Sequence, residues 1–180
     1  MGCPAATSSA STPDRMSSAP KDNASELTPS ARLSEGALHG VVGYQLAQAT
    51  IVATQVFAAA AGRAFDLRPV EYTVLALVHA NPEVNGRRLA RSLAVTPPNI
   101  VAWLDRLESR GLVERSRSSS DARLVHIRTT AAGAALVEGC TRALLDAEGA
   151  ALASLSAAER AMLVELLHKV ALARRRGASA

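Results

Sequence analysis

Aromatic side chains are almost missing from this chain: two Phe, two Tyr and one Trp make up 3% of 180 residues, although 48% are hydrophobic. Alanine and the aliphatic residues carry that apolar share, a composition that favours helices packed closely together. Cysteine is nearly absent too. Cys3 and Cys140 lie in unrelated contexts without metal-ligand spacing, which excludes a zinc site or a disulfide framework and fits a reducing cytoplasm. No long apolar run exists. The alanine- and valine-rich stretch 46–64 is interrupted by Gln48, Thr50, Thr54, Gln55, Gly62 and Arg63, too polar for a bilayer span, so no membrane partner is expected. The start Met1-Gly2-Cys3 lacks a following apolar segment, and Ala6 stands where a myristoylation signal needs Ser or Thr. Nucleophile–base groupings, phosphate-cradling glycine loops and metal-ligand clusters are also missing, so neither enzyme activity nor a cofactor or metal is expected.

What the chain has is a local excess of positive charge. The net charge is only +4, yet residues 86–128 hold nine Lys and Arg against four Asp and Glu. One stretch thus carries more than the whole excess, the electrostatic footprint of a polyanion-binding surface.

A chain of this length has room for one domain and a tail. Residues 1–34 are rich in Ser, Ala, Thr and Pro with almost no bulky apolar side chains, which predicts a disordered tail. From Gly36 apolar residues recur at three- and four-residue intervals, predicting a long amphipathic helix over about 38–64. Pro69 opens a second helix that stops near Asn81-Pro82. A short helix, 87–93, is followed by the turn Ala94-Val95 and by Thr96 as N-cap with Pro97 at the first helical position. That next helix carries Ile100, Trp103, Leu104 and Leu107 and ends at Gly111. Two short helices joined by a tight turn inside the basic stretch predict a helix-turn-helix.

The periodicity then switches. Leu112–Arg117 and Leu124–Arg128 alternate apolar and polar residues, predicting two strands around the polar tip 118–123. Thr129-Thr130 opens a further helix, and Ser156 with Glu159 forms a capping box that starts the last. The fold class expected is mainly α with a small β-hairpin wing: a winged helix-turn-helix over about 69–130, flanked by dimerisation helices over about 36–65 and 130–173.

The segments Leu89–Leu93, Thr96–Ile100 and Trp103–Arg115, followed by Asp121-Ala122-Arg123 and Thr130-Ala131-Ala132-Gly133, together resemble the MarR family of bacterial regulators. The resemblance covers roughly residues 36–172. It implies a homodimeric, sequence-specific regulator of transcription that binds double-stranded DNA at a pseudo-palindromic operator, most often a repressor released by a small molecule. A winged-helix protein-interaction module and a nonspecific DNA-binding protein are the alternatives.

The residue types fit DNA reading. A helix N-terminus presents backbone N–H groups and partial positive charge, so Thr96, Pro97, Pro98 and Asn99 can approach phosphates or base edges. Val101 and Ala102 are expected to face the groove while Ile100, Leu104 and Leu107 face the core, leaving Asn99 and Arg106 as the polar readers. In the hairpin Arg115, Arg117 and Arg123 surround a serine tip that includes Ser119, a thin cationic finger suited to the minor groove. The resemblance implies that Asp105 orients the Arg123 guanidinium, and Asp121 is placed with it as wing-orienting. It also implies a small aromatic or anionic effector between the dimerisation helices and the DNA-binding lobe, with His39, Tyr44, Arg63, Phe65 and His79 as candidate contacts. Cys140 is expected to pack as a small hydrophobe.

Overall fold

The computed structural model describes residues 26–117 and 125–174, which divide between Gln45 and Leu46 into two compact units. In the first unit the chain folds back on itself: Leu27 bridges Ser34, and the Thr28 N–H donates to the Leu33 carbonyl at 2.8 Å. Of the segment expected as a tail, residues 26–34 form this turn, while 1–25 lie outside the described residues. Glu35, only 8% exposed, accepts from His39 Nδ1 at 2.9 Å, Tyr44 OH at 3.2 Å and Gln45 Nε2 at 3.2 Å. Those donors, His39 first, hold its carboxyl below the usual carboxylate range.

The long helix expected over 38–64 is three pieces: a 3₁₀ turn at Gly36–Gly40, helix α1 at Val42–Phe57, and a π-helical turn at Ala58–Gly62. Val41 between the first two has extended backbone, next to a glycine that weakens helical continuity. Within α1 the Thr50 and Thr54 hydroxyls donate back to the Leu46 and Thr50 carbonyls at 2.7 and 2.8 Å, contacts that bend helices. The run of four alanines and Gly62 then offers no side chain that resists the wider turn.

The second unit is built on α2 (Pro69–Ala80), α3 (Gly86–Leu93), α4 (Pro97–Ser109), strands β1 (Val113–Arg117) and β2 (Val125–Thr129), α5 (Ala131–Ala151) and α6 (Ala157–Leu172). Its core joins Val74, Leu75 and Val78 of α2, Leu89 of α3, Ile100, Leu104 and Leu107 of α4, Ile127 of β2, and Val137 and Cys140 of α5, all at most 2% exposed. Burial pushes the Cys140 thiol up, the state of a packed rather than a reactive cysteine. Asn85 caps α3 by accepting the Arg88 N–H at 2.9 Å, and Ala94, left-handed at φ 52°, turns the chain toward α4. The hairpin is antiparallel with Glu114 opposite Arg128 and Arg115 opposite Ile127. Val84 adds a bridge to Ile127, seating the base of the hairpin on the loop before α3.

Thr130 and Gly133 lock this unit together. The Thr130 hydroxyl donates to the Gly111 carbonyl at 2.6 Å and accepts the Gly133 N–H at 3.1 Å, capping α5. Thr130 N–H donates to the Leu112 carbonyl at 3.1 Å. The sequence pattern Thr-x-x-Gly is therefore a joint that docks α5 on the segment leaving α4. In contrast, α6 has no buried residue; Met162, Val164, Leu166 and Val170 are each 49–69% exposed.

Candidate nucleic-acid interface

Helix α4 buries Ile100, Leu104 and Leu107 and turns Pro98, Asn99, Val101, Ala102, Asp105 and Arg106 outward. At 100° per residue, Asn99 and Arg106 share one flank of the exposed face, and Val101 and Asp105 share the other. Val101 is 51% exposed, an apolar surface suited to a thymine methyl group. Thr96 stands at the N-cap, but its side chain makes no capping hydrogen bond. The expected array of backbone donors is depleted: Pro97 and Pro98 have no N–H, and the Asn99 N–H already donates to the Thr96 carbonyl at 3.1 Å. Contact at this helix end therefore falls to side chains and close apolar approach.

The arginines of the site are mostly occupied. Arg106 Nε lies 2.9 Å from Oε1 of Glu71, a carboxylate with no exposure. The geometry is that of an ion pair and not of an aligned hydrogen bond. The other oxygen of Glu71 accepts the Arg68 N–H at 3.0 Å, the N-terminal cap of α2. Arg110 reaches back to the turn after α1, donating to the Asp66 carbonyl at 2.6 Å and the Phe65 carbonyl at 3.2 Å. Arg115 on β1 donates to Asp105 at 2.6 Å and lies 3.3 Å from Glu108. Asp105 is thus engaged by the hairpin through Arg115; Ser119, Asp121 and Arg123, the other residues expected to act in the wing, lie outside the described residues. Arg128 pairs with Glu114 across the hairpin at 2.7 Å. Arg117 is exposed.

The cations of α3 are not among the residues that the sequence pattern singles out. Leu89 and Ala90 face the core, which turns Arg87, Arg88 and Arg91 to solvent, with no ion pair to any described residue. The first helix of a helix-turn-helix crosses the DNA backbone, so these are suited to phosphates. The signal was available: three arginines in eight residues at positions that avoid the apolar stripe. Glu71 and Arg110 were missed as well, because their partners lie far away in sequence.

The expected effector contacts separate. His39 and Tyr44 are bonded to Glu35 in the first unit. Arg63 is exposed, and the Phe65 ring packs on α5 so closely that a Cβ on Gly139 would stand 3.2 Å from it. His79 alone of the five lines a cleft of about 500 Å³ between α2 and α5, together with Tyr72, Ala76, Val137, Glu138, Thr141, Arg142 and Leu145. Its Nε2 lies 3.6 Å from Glu138, and Tyr72 OH is 2.9 Å from the Thr141 hydroxyl. Among the described residues no His, Cys, Asp and Glu cluster could hold a metal, and no helix is long and apolar enough to cross a membrane.

Residues 67–125 match the family model described as MarR family. A putative transcriptional regulatory protein for the hcr operon of Thauera aromatica is 29% identical over 140 residues, 78% of this chain and 84% of that protein. Among solved structures, the transcriptional repressor CouR bound to a 23-mer DNA duplex is 32% identical with a TM-score of 0.70, covering 77% of this chain and 98% of that one. CouR from Rhodococcus jostii RHA1 bound to p-coumaroyl-CoA is 27% identical with a TM-score of 0.66, covering 74% and 94%.

Proposed function

This chain belongs to the MarR family of transcription regulators, and from that premise we propose that it is a cytoplasmic, homodimeric repressor of a pseudo-palindromic operator, released by a small effector. The family regulates transcription and is not one of enzymes. The observation that carries the reading is the exposed face of α4, set beside the solvent-facing arginines of α3 and Arg117 of the hairpin. In the dimer two such faces stand about one DNA turn, roughly 34 Å, apart. Asn99, which both donates and accepts, reads a base edge, while Val101 and Ala102 pack on thymine methyls and Thr96, Pro97 and Pro98 fit against the strand. Arg117, Ser119 and Arg123 approach the minor groove, and Arg115 and Asp105 fix the angle of that hairpin.

Gel shifts against the chain's own upstream DNA and against random duplex test the reading; equal affinity for both would sink it. Asn99→Ala is expected to lower the ratio of operator to random-duplex affinity by about tenfold, the worth of one good base contact. Alanine at Arg87, Arg88 or Arg91 is expected instead to weaken both duplexes alike and to flatten the salt dependence by about 0.9 for each phosphate that is no longer neutralised.

For the effector, the cleft lined by His79 offers the Tyr72 ring, the Leu145 side chain and the Arg142 cation, a combination suited to an aromatic anion. The CouR relative was solved with p-coumaroyl-CoA, an aromatic acyl thioester, which makes aromatic acids and their thioesters the first panel. A compound that raises the melting temperature by mass action and also releases operator DNA is the expected result.

A further inference from the structure

Arg106 of α4 and Arg110 at its C-terminal cap are both committed inside the protomer. Arg106 is paired with the buried Glu71 at 2.9 Å, and Arg110, one helical turn on, is held by the Phe65 and Asp66 carbonyls. Both anchor the same flank of the helix to the segment 65–71, where Asp66 is left-handed at φ 47°. The opposite flank is tied by Asp105 and Glu108 to Arg115. Glu71 has no exposure, so a movement of Arg106 toward DNA would leave a carboxylate buried and uncompensated, which is strongly unfavourable. Arg106 itself has 42% of its side chain exposed and lies on the Asn99 flank, so the guanidinium is near the reading surface but already neutralised.

We infer that Glu71 is a specificity-determining positioning residue: it withholds Arg106 from the phosphates, so that α4 reads DNA without a free cation. The inference rests on the DNA-binding reading above. Cation–phosphate contact adds affinity for every sequence equally. A recognition helix without one leaves discrimination to Asn99, Val101 and Ala102, while α3 and the hairpin supply the nonspecific attraction. The α2 cap thereby helps set the ratio of specific to nonspecific binding from inside the protein, without touching DNA.

The test is the salt dependence of binding, measured on operator and on random duplex. Glu71→Gln keeps the shape of the side chain and an acceptor for the Arg68 N–H but removes the charge that competes with phosphate. The freed Arg106 is expected to steepen the log–log salt slope by about 0.9 per protomer bound, to raise affinity for random duplex, and to lower discrimination several-fold. The double variant Glu71→Gln with Arg106→Gln buries no unpaired charge and is expected to return to the slope of the unaltered protein. An unchanged slope in folded Glu71→Gln overturns the inference. So does a flatter slope in the double variant, which would mean that Arg106 touches DNA already. Should Glu71→Gln fail to fold by circular dichroism, the double variant alone decides. Loss of discrimination in the unaltered protein would instead defeat the regulator reading, and the slopes on random duplex would still report on Arg106.

Discussion

Gly133→Ala is expected to cost about 3 kcal/mol of folding stability, at the upper end of overpacking effects, and to lower the melting temperature by roughly 6–12 °C. A Cβ at position 133 would stand 1.9 Å from the Leu112 carbonyl oxygen and 2.8 Å from its carbon, both backbone atoms that no rotamer change can move aside. That same oxygen accepts the Thr130 N–H at 3.1 Å. Making room for the methyl therefore pulls α5 away from the segment between α4 and β1 and strains the joint that the Thr130 hydroxyl closes on Gly111. Loss of that bond adds about 1 kcal/mol. The control lies in the same helix. Gly149 has nothing within 4 Å of its added Cβ, so Gly149→Ala should stabilise by about 0.5–1 kcal/mol through helix propensity alone. Thermal melts of both variants at one protomer concentration check the pair. If Gly133→Ala melts within a degree or two of the unaltered protein, α5 is not docked through this joint.

The joint also shows how far a sequence reaches. Thr130-x-x-Gly133 was legible as part of the family pattern it resembles, and its members lie three residues apart at the start of one helix, the range over which capping acts. The same holds for Pro69 and for Ser156 with Glu159, whose N–H donates to the Ser156 hydroxyl at 3.3 Å; Asn85, which caps α3 over the same range, is not among the caps read from the sequence. The inward positions Ile100, Leu104 and Leu107 followed from the helical period. What stayed hidden depends on pairing across the fold. Glu71 at the third position of α2 reads as a solvent-facing cap, and only tertiary packing reveals a buried carboxylate facing Arg106 of α4. Arg110 binds backbone carbonyls some 44 residues away, and carbonyl acceptors leave no mark in composition. Nor does a pattern of apolar spacings distinguish a continuous helix over 38–64 from one interrupted at Val41 and widened at Ala58–Gly62, because the apolar residues keep their intervals through the break. The spread of the effector candidates has the same origin. His39 and Tyr44 qualify by residue type alone, and the structure gives them to Glu35.

Lysine at both Leu163 and Leu167 is expected to turn the protein into monomers and to weaken operator binding by about 100-fold or more, the scale at which two linked sites outbind one. Helix α6 contains sixteen residues, a length that is marginal alone in water, and its own protomer buries none of them. Apolar side chains cover more than half of its circumference, with Glu165, His168 and Lys169 on the remaining face: Leu163 and Leu167, one turn apart, are 38% and 41% exposed, and Val164, further round, reaches 69%. So wide an apolar surface needs cover on more than one side, which fits an intertwined pair of chains better than a flat contact. Each leucine covered at that interface contributes about 1.5–3 kcal/mol, and an unpaired ammonium in its place costs several more. The substitution adds positive charge, so a loss of DNA affinity cannot come from repulsion by phosphate; it reports the loss of the second half-site. Sedimentation velocity and operator titration, run on the same samples, check both effects. Monomers that still bind the operator with undiminished affinity would mean that one protomer suffices, and a dimer that survives both lysines would place the interface elsewhere than α6.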